Sequence, residues 1–141
     1  TLKSAPLLKM HTLGSDSMPS PTHVGGLRYH GMAPMLSHLV HNGHMEPRAY
    51  GQKECLEAGI QFARTEGIMP APEATHAIKG AVDEALKCKA EGKSKSILFN
   101  LCGHGHFDMQ AYMDYFSGNL AEDKFDSKAF EESMGSIPAV N

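Results

Sequence analysis

Apolar residues recur at helical spacing over three stretches in the first two thirds of the chain. Residues 34–42 carry an apolar face between a proline suited to a first turn and a terminating glycine. A second set around Leu56, at i, i+4 and i+7 spacing, predicts a helix that stops at Gly67. A third helix is predicted to begin near Glu73, after a proline-stiffened segment, and to end before Gly92.

The continuous, mostly apolar run at 96–101 has the length and composition of a strand that helices bury on both faces. A glycine turn follows at 102–106, and Asp108 can cap the helix after it. With a short extended piece at 44–50, this order of elements is typical of an α/β fold. Two strands make an incomplete sheet, so the pattern predicts part of a larger α/β chain.

The chain divides into three segments by pattern. Residues 1–33 are rich in proline and glycine and predict a loop-rich segment that packs on structure outside this chain. Residues 34–120 carry the regular α/β elements. Residues 121–141 predict a peripheral tail with a short helix, for which Ser127 is the candidate cap.

Composition narrows the class of protein. The 141 residues, at 15.3 kDa, suit one domain, and 41% hydrophobic with 21% charged residues is ordinary globular usage. A net charge of −3 gives no basic footprint for nucleic acid, and no apolar run approaches the ~18 residues of a membrane span. Three widely spaced cysteines favour a reducing compartment, because they form neither a disulfide framework nor a zinc pattern.

The glycine turn at 102–106 is the first place to expect a ligand. Ligands of open α/β sheets bind beyond the carboxyl ends of the strands, and exposed N–H groups before a helix can hold an anion. The same residues are also typical of a simple turn without a ligand, because glycine adopts most backbone conformations. His104 and His106 invite a metal hypothesis, but no carboxylate or thiol stands at a recognised offset, which argues against zinc.

Two further residues have both a functional and a structural explanation. Glu73 is a carboxylate at a helix start, where it could act chemically or simply stabilise the helix dipole. Arg28 lies in a glycine-flanked loop, and a solvated loop is the ordinary reading of such a stretch.

Three ordered blocks carry a resemblance to a known family. They read GGLRYHGMAP at 25–34, EGIMPAPEATHA at 66–77 and FNLCGHGHFD at 99–108. The chain resembles the C-terminal portion of the tryptophan synthase β chain, in its second, longer type, over nearly all of its length. The resemblance implies a type-II pyridoxal-phosphate fold, of which this chain would form part as a three-layer α/β/α structure with an incomplete sheet. It also implies a homodimeric, cytoplasmic lyase that joins L-serine to indole by β-replacement, giving L-tryptophan.

The resemblance also assigns site residues. Glu73 stands where the family has a carboxylate that transfers protons beside the cofactor ring. Cys102, with Gly103 beside it, stands where the family has a serine that hydrogen-bonds the pyridine nitrogen, and a thiol is a weaker donor.

In the loop of the first block, Arg28 replaces the aspartate that gates the substrate hydroxyl in the commoner type. Gly26, Tyr29 and Gly31 match positions whose backbone carbonyls bind a monovalent cation.

Equally informative are the family's motifs that the sequence lacks. No lysine lies in a motif that matches the family's covalent cofactor anchor, and the glycine-serine-rich phosphate loop is not present. We therefore expect this piece to require the N-terminal portion of its own chain and to be inactive alone. The alternatives are a stand-alone flavodoxin-like module that binds an anionic ligand at Cys102–His106, and a metal-binding domain based on the two histidines of that loop.

Overall fold

The computed structural model describes residues 6–121 and 126–138, and the regular structure in them is helical. Two one-turn 3-10 helices lie at Gly25–Leu27 and Gly105–Phe107. The five α-helices are α1 Pro34–His41, α2 Gln52–Glu66, α3 Pro72–Ala90, α4 Met109–Ser117 and α5 Ser127–Gly135. The helices predicted by apolar spacing are therefore confirmed, including the short one in the tail.

The described residues form two compact units. The first contains residues 6–20, 28–47 and 126–138, and the second contains 21–27 and 48–121. The division at 33/34 and 120/121 that the sequence suggests stays a prediction.

The second unit is organised by the close pairing of α2 with α3. Leu56 of α2 and Ile78 of α3 are each 2% exposed, so both helices bury their apolar stripes. At Gly59 a Cβ would lie 2.5 Å from the Thr75 methyl carbon, so only glycine permits this helix separation. Tyr112 of α4 packs with Leu56 and completes the core of the unit.

The first unit is held by backbone pairing around residues 11–13 and 30–32. The Leu13 amide donates to the His30 carbonyl at 2.7 Å, and the Met32 amide donates to the His11 carbonyl at 2.9 Å. The Ser133 hydroxyl of α5 donates to the Leu13 carbonyl at 2.6 Å and ties the tail helix to this pairing.

The caps differ in part from the sequence prediction. Asp108 precedes α4, but its side chain makes no capping hydrogen bond. Ser127 is the first residue of α5 rather than its cap, and the Asp126 carboxylate accepts from the Lys128 and Ala129 amides instead. An aspartate one residue earlier is equally able to cap, so the two positions could not be separated by pattern.

The predicted buried strand at 96–101 is wrong for this structure. These residues form no paired strand, and Leu98 is 97% exposed. A strand needs a neighbour for its backbone groups, and the described part of the chain offers two isolated bridges, Thr12 with Gly31 and Pro70 with His104. The piece at 44–50 is likewise not a strand. A layered sheet is therefore not observed, and no described helix is both long and apolar enough to cross a membrane.

Candidate functional site

The N-terminus of α3 positions the Glu73 carboxylate. Ala71 is extended, with ψ of 150°, because the following Pro72 excludes the α region, and Pro72 then begins the helix. Glu73 thus stands in the first turn, half-buried, where the positive end of the helix dipole favours a carboxylate.

A turn from a distant part of the sequence meets this carboxylate. The Gly26 amide donates to Glu73 Oε1 at 2.9 Å. The Leu27 amide donates to the Val24 carbonyl at 2.9 Å and closes the turn. A Cβ at Gly26 would lie 3.1 Å from Glu73 Cγ, so glycine allows the close approach that the hydrogen bond requires.

The glycine loop at 102–106 pairs with the segment that leads into α3. The Gly105 amide donates to the Met69 carbonyl at 2.9 Å, and the Ala71 amide donates to the Gly103 carbonyl at 3.3 Å. Gly103 has φ of +79°, a conformation that favours glycine, and a Cβ there would lie 3.1 Å from the Ala71 Cβ. The Cys102 thiol beside it is exposed. The structure therefore fixes the Cys102–Gly103 loop against the entrance of the helix that carries Glu73.

Tyr112 of α4 adds a side-chain hydrogen bond to this pairing. Its hydroxyl donates to the Pro70 carbonyl, between the two backbone hydrogen bonds. Burial raises the pKa of the Tyr112 hydroxyl to about 12, with a smaller contribution from the Asp108 carboxylate. Nothing in the sequence pattern indicated that this hydroxyl would contact the Pro70 carbonyl.

The two histidines of the loop contact each other. Their ring centroids are 5.0 Å apart, and the His106 amide donates to His104 Nδ1 at 3.3 Å. Within residues 6–121 and 126–138 there is no group of three histidine, cysteine, aspartate or glutamate residues that could hold a metal ion.

The remaining predicted residues, Arg28, Tyr29 and Gly31, belong to the first unit. Arg28 is exposed and Tyr29 is 70% exposed. Gly31 bridges to Thr12, and a Cβ there would lie 2.8 Å from Met10 Sδ, so this strand-like pairing is tight. The structure joins Gly26 to Glu73, and Gly103 to the start of α3, within one unit.

One contact near the site had no sequence signal. His23 Nε2 lies 3.0 Å from Asp114 Oδ2 of α4, across 91 residues of sequence. Residues so far apart in sequence carry no periodicity that could link them.

Similarity to curated proteins, though not to any protein-family model, agrees with the three sequence blocks. No protein-family model matches the chain. The chain is 59% identical over 85% of its length to tryptophan synthase beta chain 2 of Methanosarcina mazei, and 59% identical over 83% to the protein of that name from Aquifex aeolicus. The protein of that name from Thermococcus kodakarensis is 55% identical over 83% of the chain. The chain spans only about 26–27% of the length of these relatives. The similarity confirms the resemblance that the three blocks carry.

Proposed function

We propose that this chain, a homologue of the second type of tryptophan synthase β chain, forms the C-terminal part of a pyridoxal-phosphate enzyme. The whole enzyme would join L-serine to indole by β-replacement and release L-tryptophan. The type-II fold with a layered sheet, the homodimer and the cytoplasmic compartment belong to this proposal. The observation that carries it is the hydrogen bond from the Gly26 amide to Glu73, which joins two of the three family blocks at one carboxylate.

The chain's own residues fit one side of the cofactor. Cys102 presents an exposed thiol, and Gly103 beside it has no side chain to obstruct a flat ring. Cys102 would donate to the pyridine nitrogen, and the hydrogen bonds from Gly105 and Ala71 would keep that loop in place. When bound, the cofactor supplies an electron-withdrawing ring that stabilises negative charge on the substrate. The lysine that anchors the cofactor and the loop that binds its phosphate would lie in the part of the full-length protein that this chain does not include.

Glu73 would transfer protons. A general acid or base must first be held within hydrogen-bond reach of the reacting group, and the hydrogen bond from the Gly26 amide restrains the position of one carboxylate oxygen of Glu73. The rigid Ala71-Pro72 entrance limits the same side chain from the backbone side. Both restraints favour a positioned acid or base over a carboxylate that merely stabilises the helix dipole.

Further roles in the proposal come from the resemblance of the first sequence block. Arg28 would act on access of the substrate hydroxyl, and its exposed guanidinium suits contact with a small polar substrate. The backbone carbonyls of Gly26, Tyr29 and Gly31 would bind a monovalent cation. The flavodoxin-like alternative has no comparable support, because the relatives named above, at 55–59% identity, are tryptophan synthase β chains.

The test compares two substitutions of Glu73 in the full-length protein. Glu73→Ala removes both the acid-base group and the acceptor for Gly26, whereas Glu73→Gln keeps an acceptor oxygen and removes the acid-base group. We expect both variants to consume indole about 10²–10⁴ times more slowly, the usual contribution of such a group. Glu73→Gln should change folding little, since a charge at a helix start contributes only about 0.3–1 kcal/mol. Glu73→Ala also loses the hydrogen bond from the Gly26 amide, which should cost about a further 0.5–1.5 kcal/mol.

Cofactor absorbance and a thermal melt of the same samples are the controls. Glu84→Ala is the matched variant, because it removes an α3 carboxylate paired with Lys95 and makes no contact with the Gly26 turn. We expect this variant to turn over normally. A Glu73→Gln enzyme with normal turnover would refute the acid-base role, and full-length wild-type protein without synthase activity would refute the proposed function.

A further inference from the structure

The segment that reaches Glu73 is fastened to α4 by a side-chain contact. His23 Nε2 lies 3.0 Å from Asp114 Oδ2, with the two side chains 39% and 23% exposed. The partner carboxylate is itself oriented, because Gln110 Nε2, one helical turn earlier, donates to Asp114 Oδ1 at 2.7 Å. Each oxygen of Asp114 therefore has its own donor, which fixes the direction in which Oδ2 faces His23.

A second attachment holds the same segment to α2. The His23 amide donates to Gln52 Oε1 at 3.4 Å. Gln52 is 5% exposed, and its amide nitrogen donates to the Ala121 carbonyl. Both the oxygen and the nitrogen of the Gln52 side-chain amide are thus hydrogen-bonded. The oxygen that accepts from the His23 amide is therefore held in place.

The restraint at His23 reaches Glu73 through the turn formed by the residues that follow it. Val24, next to His23, is 9% exposed, and its carbonyl accepts from the Leu27 amide at 2.9 Å. This closes the turn that directs the Gly26 amide at Glu73 Oε1. In contrast, Gly25 and Gly26 are exposed and have no side chains, so they contribute no packing that could hold the turn unaided.

We infer that His23 and Asp114 are positioning residues for Glu73. Their contact fastens residues 21–27 to α4 and thereby keeps the Gly26 amide against the Glu73 carboxylate. The inference deepens the proposed function and rests on it for its catalytic consequence. The positioning itself is a property of the chain and is measurable without activity.

The primary experiment follows the Gly26 amide by NMR in the full-length protein, labelled selectively at glycine, at constant pH. In the wild type we expect a low-field amide proton that exchanges slowly with solvent, as befits a donor to a carboxylate. His23→Leu removes the contact with Asp114, and we expect the exchange of the Gly26 amide to rise about five- to tenfold. His23→Gln retains a side-chain N–H of similar reach and should restore the slow exchange.

Asp114→Asn is the second variant, in case His23→Leu does not fold. One carbonyl oxygen then replaces two, so it can serve either His23 or Gln110, and a smaller increase of the same sign is expected. Glu84→Ala is again the matched control and should leave the Gly26 amide unchanged. A Gly26 amide that exchanges freely in the wild type, or that is unaffected by both His23→Leu and Asp114→Asn, would overturn the inference.

The catalytic consequence is measured in the full-length protein. We expect His23→Leu to lower kcat for tryptophan formation about tenfold, to leave KM for serine unchanged, and to be rescued by His23→Gln. A loss confined to the amount of folded protein, with normal kcat, would overturn the positioning role. If full-length wild type makes no tryptophan, the proposed function fails, while the Gly26 amide still decides whether His23 and Asp114 hold the turn.

Discussion

Gly105→Ala is expected to separate the glycine loop from the entrance of α3. A Cβ at this position would lie 2.4 Å from the Pro70 carbonyl oxygen, 2.9 Å from Met69 Cγ and 3.1 Å from a Tyr112 ring carbon. The nearest of these atoms is backbone, so a rotamer change cannot relieve the clash. The loop must move away, and the hydrogen bond from the Gly105 amide to the Met69 carbonyl is then stretched or lost.

The expected cost follows from these contacts. Forcing a methyl group into a filled space costs about 1–3 kcal/mol. Losing one backbone hydrogen bond adds about 0.5–1.5 kcal/mol. A loss of about 2–4 kcal/mol lowers the melting temperature by roughly 10 °C, since each kcal/mol corresponds to about 3–4 °C at this chain length.

The assay is thermal unfolding of the chain followed by circular dichroism at 222 nm, with Gly80→Ala as the matched control. A Cβ at Gly80 would meet only Tyr50, at 3.8 Å from its hydroxyl oxygen and 3.9 Å from a ring carbon, which is ordinary contact in the interior of α3. Alanine there should stabilise the chain by about 0.5–1 kcal/mol. A Gly105→Ala chain that melts within about 2 °C of the wild type, beside a stabilised Gly80→Ala chain, would refute the reasoning.

Three further outcomes are expected. Because burial raises the pKa of Tyr112 to about 12, above its ordinary 10.0, the neutral hydroxyl adds stability that is present below pH 10 and lost as pH rises from 10 to 12. Tyr112→Phe should flatten the fall in melting temperature over that range, and an unchanged slope would contradict the assignment. In the full-length protein, Cys102→Ser should retain the cofactor as well as the wild type or better, since a hydroxyl is the stronger donor, and loss of cofactor absorbance would count against Cys102. The 141-residue chain should form no tryptophan from serine and indole, and it should associate in light scattering because Leu98 and its neighbours expose apolar surface. Turnover by a homogeneous sample, or a monodisperse monomer at all concentrations, would contradict these expectations in turn.

The helices could be predicted because their signals are local. Apolar spacing fixed the inner faces of α2 and α3, and the glycines after them, Gly67 and Gly92, have φ of +71° and +64°. The strand prediction at 96–101 failed for the opposite reason. An apolar run indicates that a segment is suited to burial, but strand structure also requires a neighbouring strand, and the described residues provide none.

The sequence indicated the residues of the site, but not the hydrogen bonds and side-chain contacts between them. Family blocks pointed to Glu73, Gly26 and Cys102, yet nothing in the letters indicated that the Gly26 amide donates to Glu73 across 47 residues. The contact between His23 and Asp114 is a pairing of two surface side chains, and such pairs leave no period in the sequence. Contacts of this kind depend on how helices pack, which local pattern does not determine.

The different exposure of the three cysteines makes the chain selectively addressable by thiol chemistry. Cys55 and Cys88 are buried, whereas Cys102 is exposed. A maleimide dye applied to the folded chain therefore reacts at one position, without any engineered substitution. That position lies one residue from the hydrogen bond between the loop and the entrance of α3. The natural sequence thus carries its own attachment point for a fluorophore that reports on the surroundings of this loop, and unfolding in denaturant would raise the labelling stoichiometry from one to three.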